Sequence, residues 1–389
     1  MNELHWSDVS GVRDESTDSD FRPDTIGAAS ADDLAVTHLI LSAQVLVPSH
    51  VVKAVLYDKP RSFSVTEVAE PRVGVGEVRL RVVAAGVCGT DGHLHEGQFD
   101  PVYPLTPGHE IVGEVDEVGA GVSTLRVSQR VVLDNMQSCG VCTSCRRARP
   151  AFCRQLVAQG VNAAGGFAEF IVAPAGKCHP ADDLEPEVAV LTEPTACVMH
   201  GLDVLAMQPG SDVLVFGAGP TGLLLAQLLR HAGAHRVTVA APTPFKLEIA
   251  ARHGADETVQ MDRERPGNAL ARLRELAPEG FDVVIDATGA VGVLEQCVAL
   301  TGDGGTVFVY GMTDEADRLS VSPYEVFRRE LVIKGSFSQA YSFDRALQAL
   351  RTGRVATDGI ITHRFGLDGY GDALAALHDR QCVKAVVRP

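Results

Sequence analysis

The sequence predicts an α/β protein with a β-rich first part and a doubly wound parallel sheet after it. Residues 53–135 alternate short β-branched segments with Gly and Pro, which is typical of a barrel-like antiparallel domain. From residue 212 onward, apolar strands alternate with helical segments, as in a parallel sheet covered by helices. The end of the chain, residues 384–387, has the pattern of one more strand, which we expect to return to the first part.

Size and charge exclude several classes of function. The 389 residues suffice for two domains, and 46% apolar and 22% charged residues are ordinary for a globular enzyme. A net charge of -16 argues against nucleic-acid binding, because a phosphate-binding surface needs a basic field. No uninterrupted apolar run reaches the roughly 18 residues that span a bilayer. Nine clustered cysteines favour metal binding in a reducing cytoplasm over a disulfide framework.

Residues 1–51 are expected to lie outside the fold. The first 33 residues are acidic and polar, which predicts disorder, and they lack the basic start of a signal peptide. The more apolar segment 34–47 is expected to form a short helix or strand. Val52 stands where an initiator Met would be natural, so translation from Val52 is one hypothesis, which N-terminal sequencing of the native protein tests.

Two stretches bring metal-ligand residue types together. Residues 87–93 are V-C-G-T-D-G-H, and residues 107–110 are P-G-H-E. Cys, His and Glu are zinc ligands, and a hydroxyl beside such a metal passes a proton. Both stretches follow β-type segments, so we expect them on loops at the rim of the first part. Together they predict a catalytic zinc site.

A second cluster consists of Cys139, Cys142, Cys145 and Cys153. Four thiolates at C-x2-C-x2-C-x7-C spacing close a tetrahedral Zn–S4 site and leave no position open, which indicates a structural role. Three arginines between the third and fourth cysteines suit the negative charge of such a centre. The alternatives are an iron–sulfur cluster and four incidental buried cysteines.

A nucleotide-binding turn follows the apolar strand 212–216. The G-x-G-x-x-G pattern leads into a helical segment, 223–231, whose N-terminus offers free N–H groups to phosphates. In such a turn the first glycine makes the turn, the second admits the pyrophosphate and the third lets helix and strand pack. The expected cofactor contacts are Gly217, Gly219, Pro220, Thr221 and Gly222.

The end of the next strand bears on the choice of cofactor. An NAD-selective site places Asp or Glu about 20 residues past the glycines. Here the residues are Ala240, Ala241, Pro242 and Thr243, without a carboxylate. We expect Ala241, Thr243 and Lys246 to surround the adenine ribose, with Thr243 and Lys246 meeting a 2′-phosphate, so the pattern favours NADP over NAD. The alternative is relaxed selectivity, with other groups holding the ribose.

These motifs together resemble the zinc-containing medium-chain dehydrogenase/reductase superfamily over about residues 52–389. The signature Gly108-His109-Glu110-x-x-Gly113-x5-Gly119-x-x-Val122 and the four-cysteine lobe carry the resemblance. It implies a GroES-like catalytic domain over 52–195 with the lobe at about 136–155, a Rossmann NAD(P)-binding domain over 196–335, and a return to the catalytic domain over 336–389.

The resemblance also implies a ligand set. Cys88 and His109 correspond to zinc ligands, and the remaining protein coordination falls to Glu110 and Glu193, without deciding which binds directly. Glu193-Pro194 looks like the sorbitol (polyol) and threonine dehydrogenase branches, whereas liver-type alcohol dehydrogenases have Cys there. Cys197, four residues later, is expected to pack within a helix.

Catalytic roles follow from the same resemblance. Thr90 would bond the substrate oxygen and pass its proton, through the nicotinamide ribose, to His93. Asp91 would accept from the distal nitrogen of His109. The alternatives are ordinary loop capping for Thr90 and Asp91 and a surface position for His93. Further residues are expected near the substrate or cofactor without a catalytic role: His95, Glu96, Tyr103 and His200.

The predicted function is oxidation of a polar secondary alcohol, a polyol, sugar or cyclitol, with two zinc ions per chain and NAD(P). The rivals are a threonine-type 3-hydroxy amino acid dehydrogenase and a nucleotide-binding sensor without catalysis; the retained ligand set disfavours the sensor and a zinc-free quinone reductase. The family implies a homotetramer or homodimer that uses the sheet edge near Thr306–Gly311.

Overall fold

A computed structural model describes residues 50–262 and 267–389, which belong to one compact unit, residues 48–389. The predictions of disorder and of a short element within 34–47 lie outside these residues. The first strand that the structure describes, β1, starts at Val51, close to the predicted start at residue 53.

The secondary structure alternates between the two predicted patterns. The strands are β1 Val51–Lys59, β2 Ser62–Ala69, β3 Glu77–Val87, β4 Glu110–Val118, β5 Arg130–Leu133, β6 Met136–Gln137, β7 Val157–Ala158, β8 Phe170–Pro174, β9 Cys178–Pro180, β10 Asp212–Phe216, β11 Arg236–Ala241, β12 Glu257–Gln260, β13 Phe281–Asp286, β14 Thr301–Val309, β15 Val332–Gly335, β16 Ile361–Phe365 and β17 Lys384–Val387. The α-helices are α1 Gly89–Glu96, α2 Thr143–Arg146, α3 Pro186–Ala189, α4 Thr192–Leu205, α5 Pro220–His231, α6 Pro244–Arg252, α7 Gly267–Leu276, α8 Val291–Leu300, α9 Pro323–Arg328, α10 Phe343–Arg351 and α11 Tyr370–Ala375.

A seven-stranded sheet organises the first part. Its order is β16-β17-β3-β4-β5-β9, and β8 also pairs with β3. Strand β3 alternates buried Val78 and Leu80 with outward arginines, the period of a half-buried strand. The final strand β17 pairs antiparallel with β3, so the chain returns to the first sheet as expected. This pairing brings the end of the chain beside Val87, one residue before Cys88.

A six-stranded sheet forms the second part. All its strands run parallel in the order β12-β11-β10-β13-β14-β15, which is the dinucleotide-binding order. Strand β10 is apolar throughout its centre because helices cover both faces of the sheet, and α5 buries Leu223 and Leu225 against it. The order reverses between β10 and β13, where a crevice opens at the carboxyl ends of the strands.

Three features differ from the sequence-based expectation. Residues 89–96 form helix α1 instead of a loop, and His109 precedes a strand instead of following one. Strand β14 lies between β13 and β15, so the edge is Val332–Gly335 and not the predicted Thr306–Gly311.

By length and hydropathy alone the stretch Pro186–Leu205 would suit a membrane span, but 61% of its apolar window is buried inside the protein, as in a core helix.

Candidate active site

Four chain segments converge at the first predicted metal site. Strand β3 ends at Val87, and Cys88 then caps helix α1 with extended backbone angles. Glu110 is the first residue of β4, Glu193 lies in the first turn of α4, and Lys384 begins β17. Because β4 and β17 both pair with β3, these ends are fixed beside Cys88.

Cys88, His109 and Glu110 form a compact donor set. One ligand atom from each lies within 4.8 Å of the others. Glu110 is fully buried, and its Oε2 atom has no hydrogen-bond partner among the described residues. A Cβ at Gly86, the residue paired with Glu110, would lie 1.9 Å from that Oε2, so the glycine leaves the space that the carboxylate fills. A thiolate, an imidazole and a carboxylate with an orphaned oxygen fit a zinc ion.

The charges around this set also favour a cation. Burial by itself lowers the pKa of His109, but the Cys88 sulfur and the Asp91 carboxylate outweigh it and raise that pKa to about 10. Burial raises the pKa of Glu193, and the nearby Glu110 adds to the rise. The buried carboxyl groups of Asp91, Glu110 and Glu193 lie around this site, and Lys384 Nζ donates to Glu110 Oε1. A divalent ion would balance this excess of negative charge.

Asp91 and His109 face each other without a hydrogen bond. Asp91 Oδ1 lies 3.8 Å from His109 Nδ1, and in the described part of the chain neither of these buried atoms has a hydrogen-bond partner. The other oxygen, Oδ2, accepts from the Cys88 backbone N–H at 2.8 Å. Asp91 thus makes the capping bond of the alternative interpretation, whereas the predicted hydrogen bond from His109 is not formed at this distance. Thr90 Oγ1 lies 3.7 Å from Cys88 Sγ.

Glu193 lies near this donor set but outside its tight group. Its Oε1 accepts from Cys197 Sγ at 3.1 Å, across one turn of α4. Cys197 packs within the helix, as its position in the sequence predicts. Of the two carboxylates left open by the sequence, Glu110 is the one with an oxygen within 4.8 Å of the Cys88 and His109 ligand atoms.

The four-cysteine lobe is assembled. The ligand atoms of Cys139, Cys142, Cys145 and Cys153 all lie within 4.8 Å of one another. Three sulfur pairs are 3.5, 3.9 and 4.0 Å apart, close to the roughly 3.8 Å edge of a tetrahedron with Zn–S bonds of about 2.3 Å. Backbone N–H groups of Cys145 and Arg154 lower the pKa of Cys142 to about 6, which favours the ligating thiolate.

The glycine turn opens onto the crevice between β10 and β13. Gly217 has a φ of +110°, and a Cβ at Gly222 would lie 2.0 Å from the Gly217 carbonyl oxygen. Gly219, the N-cap of α5, has open space where its Cβ would be. Pro220 and Thr221 occupy the first turn of that helix. The turn therefore combines a forced tight bend, close helix packing and room beside the helix N-terminus.

The residues expected at the adenine ribose lie at the end of β11. Ala241 is its last, buried residue, and Thr243 is the N-cap of α6 without a side-chain capping bond. Lys246 donates to the Cys382 carbonyl oxygen at 2.5 Å and lies over the Phe245 ring. The Lys246 ammonium is thus held beside the C-terminal segment.

The remaining predicted residues occupy varied positions. His93 lies half-buried in the last turn of α1, with Nδ1 2.6 Å from Gln98 Oε1. His95 Nδ1 lies 2.9 Å from the Tyr57 hydroxyl. The other side chains are bound nearby: Glu96 pairs with Arg61 on the surface, Tyr103 donates to the Leu94 carbonyl, and His200 lies half-buried in α4.

Three residues that contact the predicted site residues, directly or through one another, were not predicted from the sequence. Lys384 is 2% exposed and bonds Glu110 across 274 positions of sequence. A lysine opening an otherwise apolar strand is the one available signal. Gln98 and Asp314, bonded to each other across 216 positions, carry no motif at all. Pairings at this separation emerge only when the chain is folded.

Comparisons with known proteins match both halves. A profile for the alcohol dehydrogenase GroES-like domain matches residues 74–183, and one for zinc-binding dehydrogenases matches residues 220–352. A zinc-binding dehydrogenase from Sinorhizobium meliloti 1021 bound to NADP has a TM-score of 0.81 and 33% identity, and the match covers 87% of this chain and 100% of that chain.

Sequence relatives include three dehydrogenases. D-arabinitol dehydrogenase 1 of Uromyces fabae is 43% identical over 337 residues, 86% of this chain and 97% of that protein. D-altritol 5-dehydrogenase of Agrobacterium fabrum is 38% identical over 75% of this chain and 86% of its own length. L-threonine 3-dehydrogenase of Anaeromyxobacter dehalogenans is 32% identical, with coverages of 82% and 93%. These likenesses confirm the resemblance predicted from the motifs: the chain belongs to the zinc-containing medium-chain dehydrogenase/reductase superfamily and is an NAD(P)-dependent alcohol oxidoreductase.

Proposed function

We propose that the protein oxidises an acyclic polyol at a secondary alcohol, or reduces the corresponding ketose. The similarity to D-arabinitol dehydrogenase 1, 43% over almost the whole of that protein, carries this choice of substrate. The threonine-type alternative is supported by relatives at 32% identity or similar values, so it ranks second.

Cys88, His109 and Glu110 are the residues to which we assign the zinc. Two observations support Glu110 over Glu193: one of its carboxylate oxygens belongs to the group of three donors, and its buried Oε2 has no hydrogen-bond partner among the described residues. The Glu193 carboxylate instead accepts from Cys197. When bound, zinc supplies a Lewis acid that lowers the pKa of an alcohol towards neutrality, and the nicotinamide accepts the hydride. The four-cysteine lobe would hold a second, structural zinc.

The protein's own residues then handle the proton. Thr90 Oγ1, close to Cys88, accepts the hydroxyl proton of the substrate as its own hydroxyl proton leaves in the direction of His93. His93 lies one turn further along α1 and is half-buried, and we assign to it the transfer of this proton to solvent. Asp91 faces His109 and fixes the orientation of its imidazole.

NADP is our proposed cofactor. The end of β11 lacks the carboxylate that binds the 2′-hydroxyl of NAD, and Thr243 offers a hydroxyl at the start of α6. A relative of similar structure was crystallised with NADP.

The assembly is proposed to be a homodimer, or a dimer of such dimers, built on β15. This edge strand exposes Val332 and Ile333, and the neighbouring helix α9 exposes Tyr324 and Phe327. An exposed apolar edge favours pairing with a second copy. The described cysteines are all free thiols, which suits a reducing cytoplasm and is testable by cell fractionation.

A substrate panel tests the proposal. NAD or NADP reduction would be measured with D-arabinitol, D-altritol, a cyclitol and L-threonine. We expect the highest kcat/KM for a pentitol or hexitol, with NADP preferred. Preferential turnover of L-threonine would replace the polyol by the amino acid alternative, and a strong NAD preference would contradict the cofactor assignment.

A further inference from the structure

The proposed relay residue His93 contacts the side chain of Gln98, which lies just after the end of helix α1. Helix α1 ends at Gly97, which has a φ of +83°, and the Gln98 backbone N–H then donates to the His93 carbonyl at 2.9 Å. This turn brings the Gln98 side chain beside the imidazole, with Oε1 2.6 Å from His93 Nδ1. Such a contact fixes one ring nitrogen and leaves the other free.

The other end of the Gln98 amide is anchored on the second part of the molecule. Its Nε2 donates to Asp314 Oδ2 at 2.5 Å, and Asp314 follows β14. The Ala316 backbone N–H and the Gln98 amide hold the pKa of Asp314 below its usual range, so at neutral pH it is a carboxylate. A carboxylate only accepts hydrogen bonds. The amide must therefore turn its NH2 group to Asp314 and its carbonyl to His93.

The direction of these bonds decides the tautomer of the imidazole. A carbonyl oxygen accepts and cannot donate, so neutral His93 must carry its proton on Nδ1 and leave Nε2 bare. We infer that Gln98 and Asp314 are positioning residues that hold His93 in the Nδ1–H tautomer, which leaves Nε2 as the base for the substrate proton. The use of that base rests on the relay role given to His93 in the proposed function.

The same contact links the two parts of the molecule. The neighbouring Phe99 backbone N–H donates to Glu315 Oε1 at 3.1 Å, so residues 98–99 and 314–315 meet through two bonds. If these segments separate, the Gln98 amide is free to turn its NH2 group towards Nδ1. That arrangement places the imidazole proton on Nε2, where it blocks proton uptake. His93 therefore keeps Nε2 free of a proton, as a base requires, when residues 98–99 and 314–315 are in contact.

Nitrogen NMR of the holoenzyme tests the tautomer directly. Protein labelled with 15N-histidine would be compared with His93→Asn to assign the resonances of His93. We expect the wild-type imidazole to be protonated on Nδ1 and Gln98→Leu to shift it towards Nε2–H. Turnover in Gln98→Leu should fall roughly tenfold with KM nearly unchanged, as when an outer partner of a functional histidine is lost.

Two variants of the same loop provide the control. Asp314→Ala removes the anchor of the amide and should shift the tautomer in the same direction as Gln98→Leu. Glu315→Ala removes the neighbouring carboxylate, which accepts from the Phe99 backbone N–H, and should leave the tautomer unchanged.

Two results would overturn the inference: Nε2–H in the wild type, or no change of tautomer in Gln98→Leu. Normal turnover in His93→Asn is a separate outcome. It would remove the relay role from the proposed function and leave the measured tautomer to decide the positioning role of Gln98 and Asp314.

Discussion

Lys384 is the residue whose charge matters most to the buried site. Its ammonium is 2% exposed and pairs with a fully buried Glu110. Removing one partner of such a pair leaves an uncompensated buried charge, which typically costs about 3–5 kcal/mol. We therefore expect Lys384→Met to lower the free energy of unfolding by about that amount, measured by chemical denaturation.

A second lysine provides the control for this prediction. Lys177 pairs with Asp134 at 2.7 Å, but its side chain is 32% exposed, so Lys177→Met should cost at most about 1 kcal/mol. Equal losses in the two variants would contradict the special cost of burial at Lys384.

At the scale of single residues, the sequence predicts the metal ligands better than the residues that position them. Cys88, His109 and the four lobe cysteines stand out because metal ligands have recognisable types and spacing. Whether Glu110 or Glu193 joins them could not be read from spacing. Our assignment of Glu110 rests on the space that Gly86 leaves for its carboxylate and on the hydrogen bond from Cys197 to Glu193. Both contacts exist only in the folded chain.

At the scale of the elements, edge strand β15 and the adjacent helix α9 predict where two copies of the chain associate. Phe327 on the adjacent helix α9 is 80% exposed. We expect the wild type to sediment as a dimer or a multiple of it, and Phe327→Glu to shift it towards the monomer, because a buried charge at a two-fold contact is repeated on both copies. Val75→Glu, at an equally exposed position in the turn before β3, is the matched control. An unchanged mass in Phe327→Glu would exclude this edge.

The elements also show where pattern reasoning fails. The apolar alternation from 212 onward predicts the parallel sheet because strands covered on both faces are apolar throughout. Residues 89–96 were expected on a loop because they follow a β-type segment, and two glycines in eight residues give helix α1 little local propensity. Its stability comes from elsewhere: Asp91 bonds the Cys88 backbone, and Leu94 is buried against the lobe. These contacts are tertiary, so local sequence does not reveal them.

At the scale of the whole molecule, the last strand returns to the first sheet and adds a residue to the candidate active site. Strand β17 pairs with β3 and carries Lys384 to Glu110, so the end of the chain completes a site begun at Cys88. The contact between residues 98–99 and 314–315 then joins this site to the cofactor-binding sheet. The proposed metal site, the proposed relay histidine and the cofactor-binding sheet are thus linked by two contacts between segments far apart in the sequence.

The central claim is that the two metal sites have separate roles, and zinc content measured together with polyol oxidation tests it most directly. The wild type should contain two zinc ions per chain. Cys88→Ser should keep the fold and the lobe zinc yet lose turnover by on the order of 10³-fold, since several kcal/mol of charge stabilisation disappear. Cys142→Ser should instead lose thermal stability, because structural zinc contributes to folding. A Cys88→Ser enzyme with normal kcat would contradict the account.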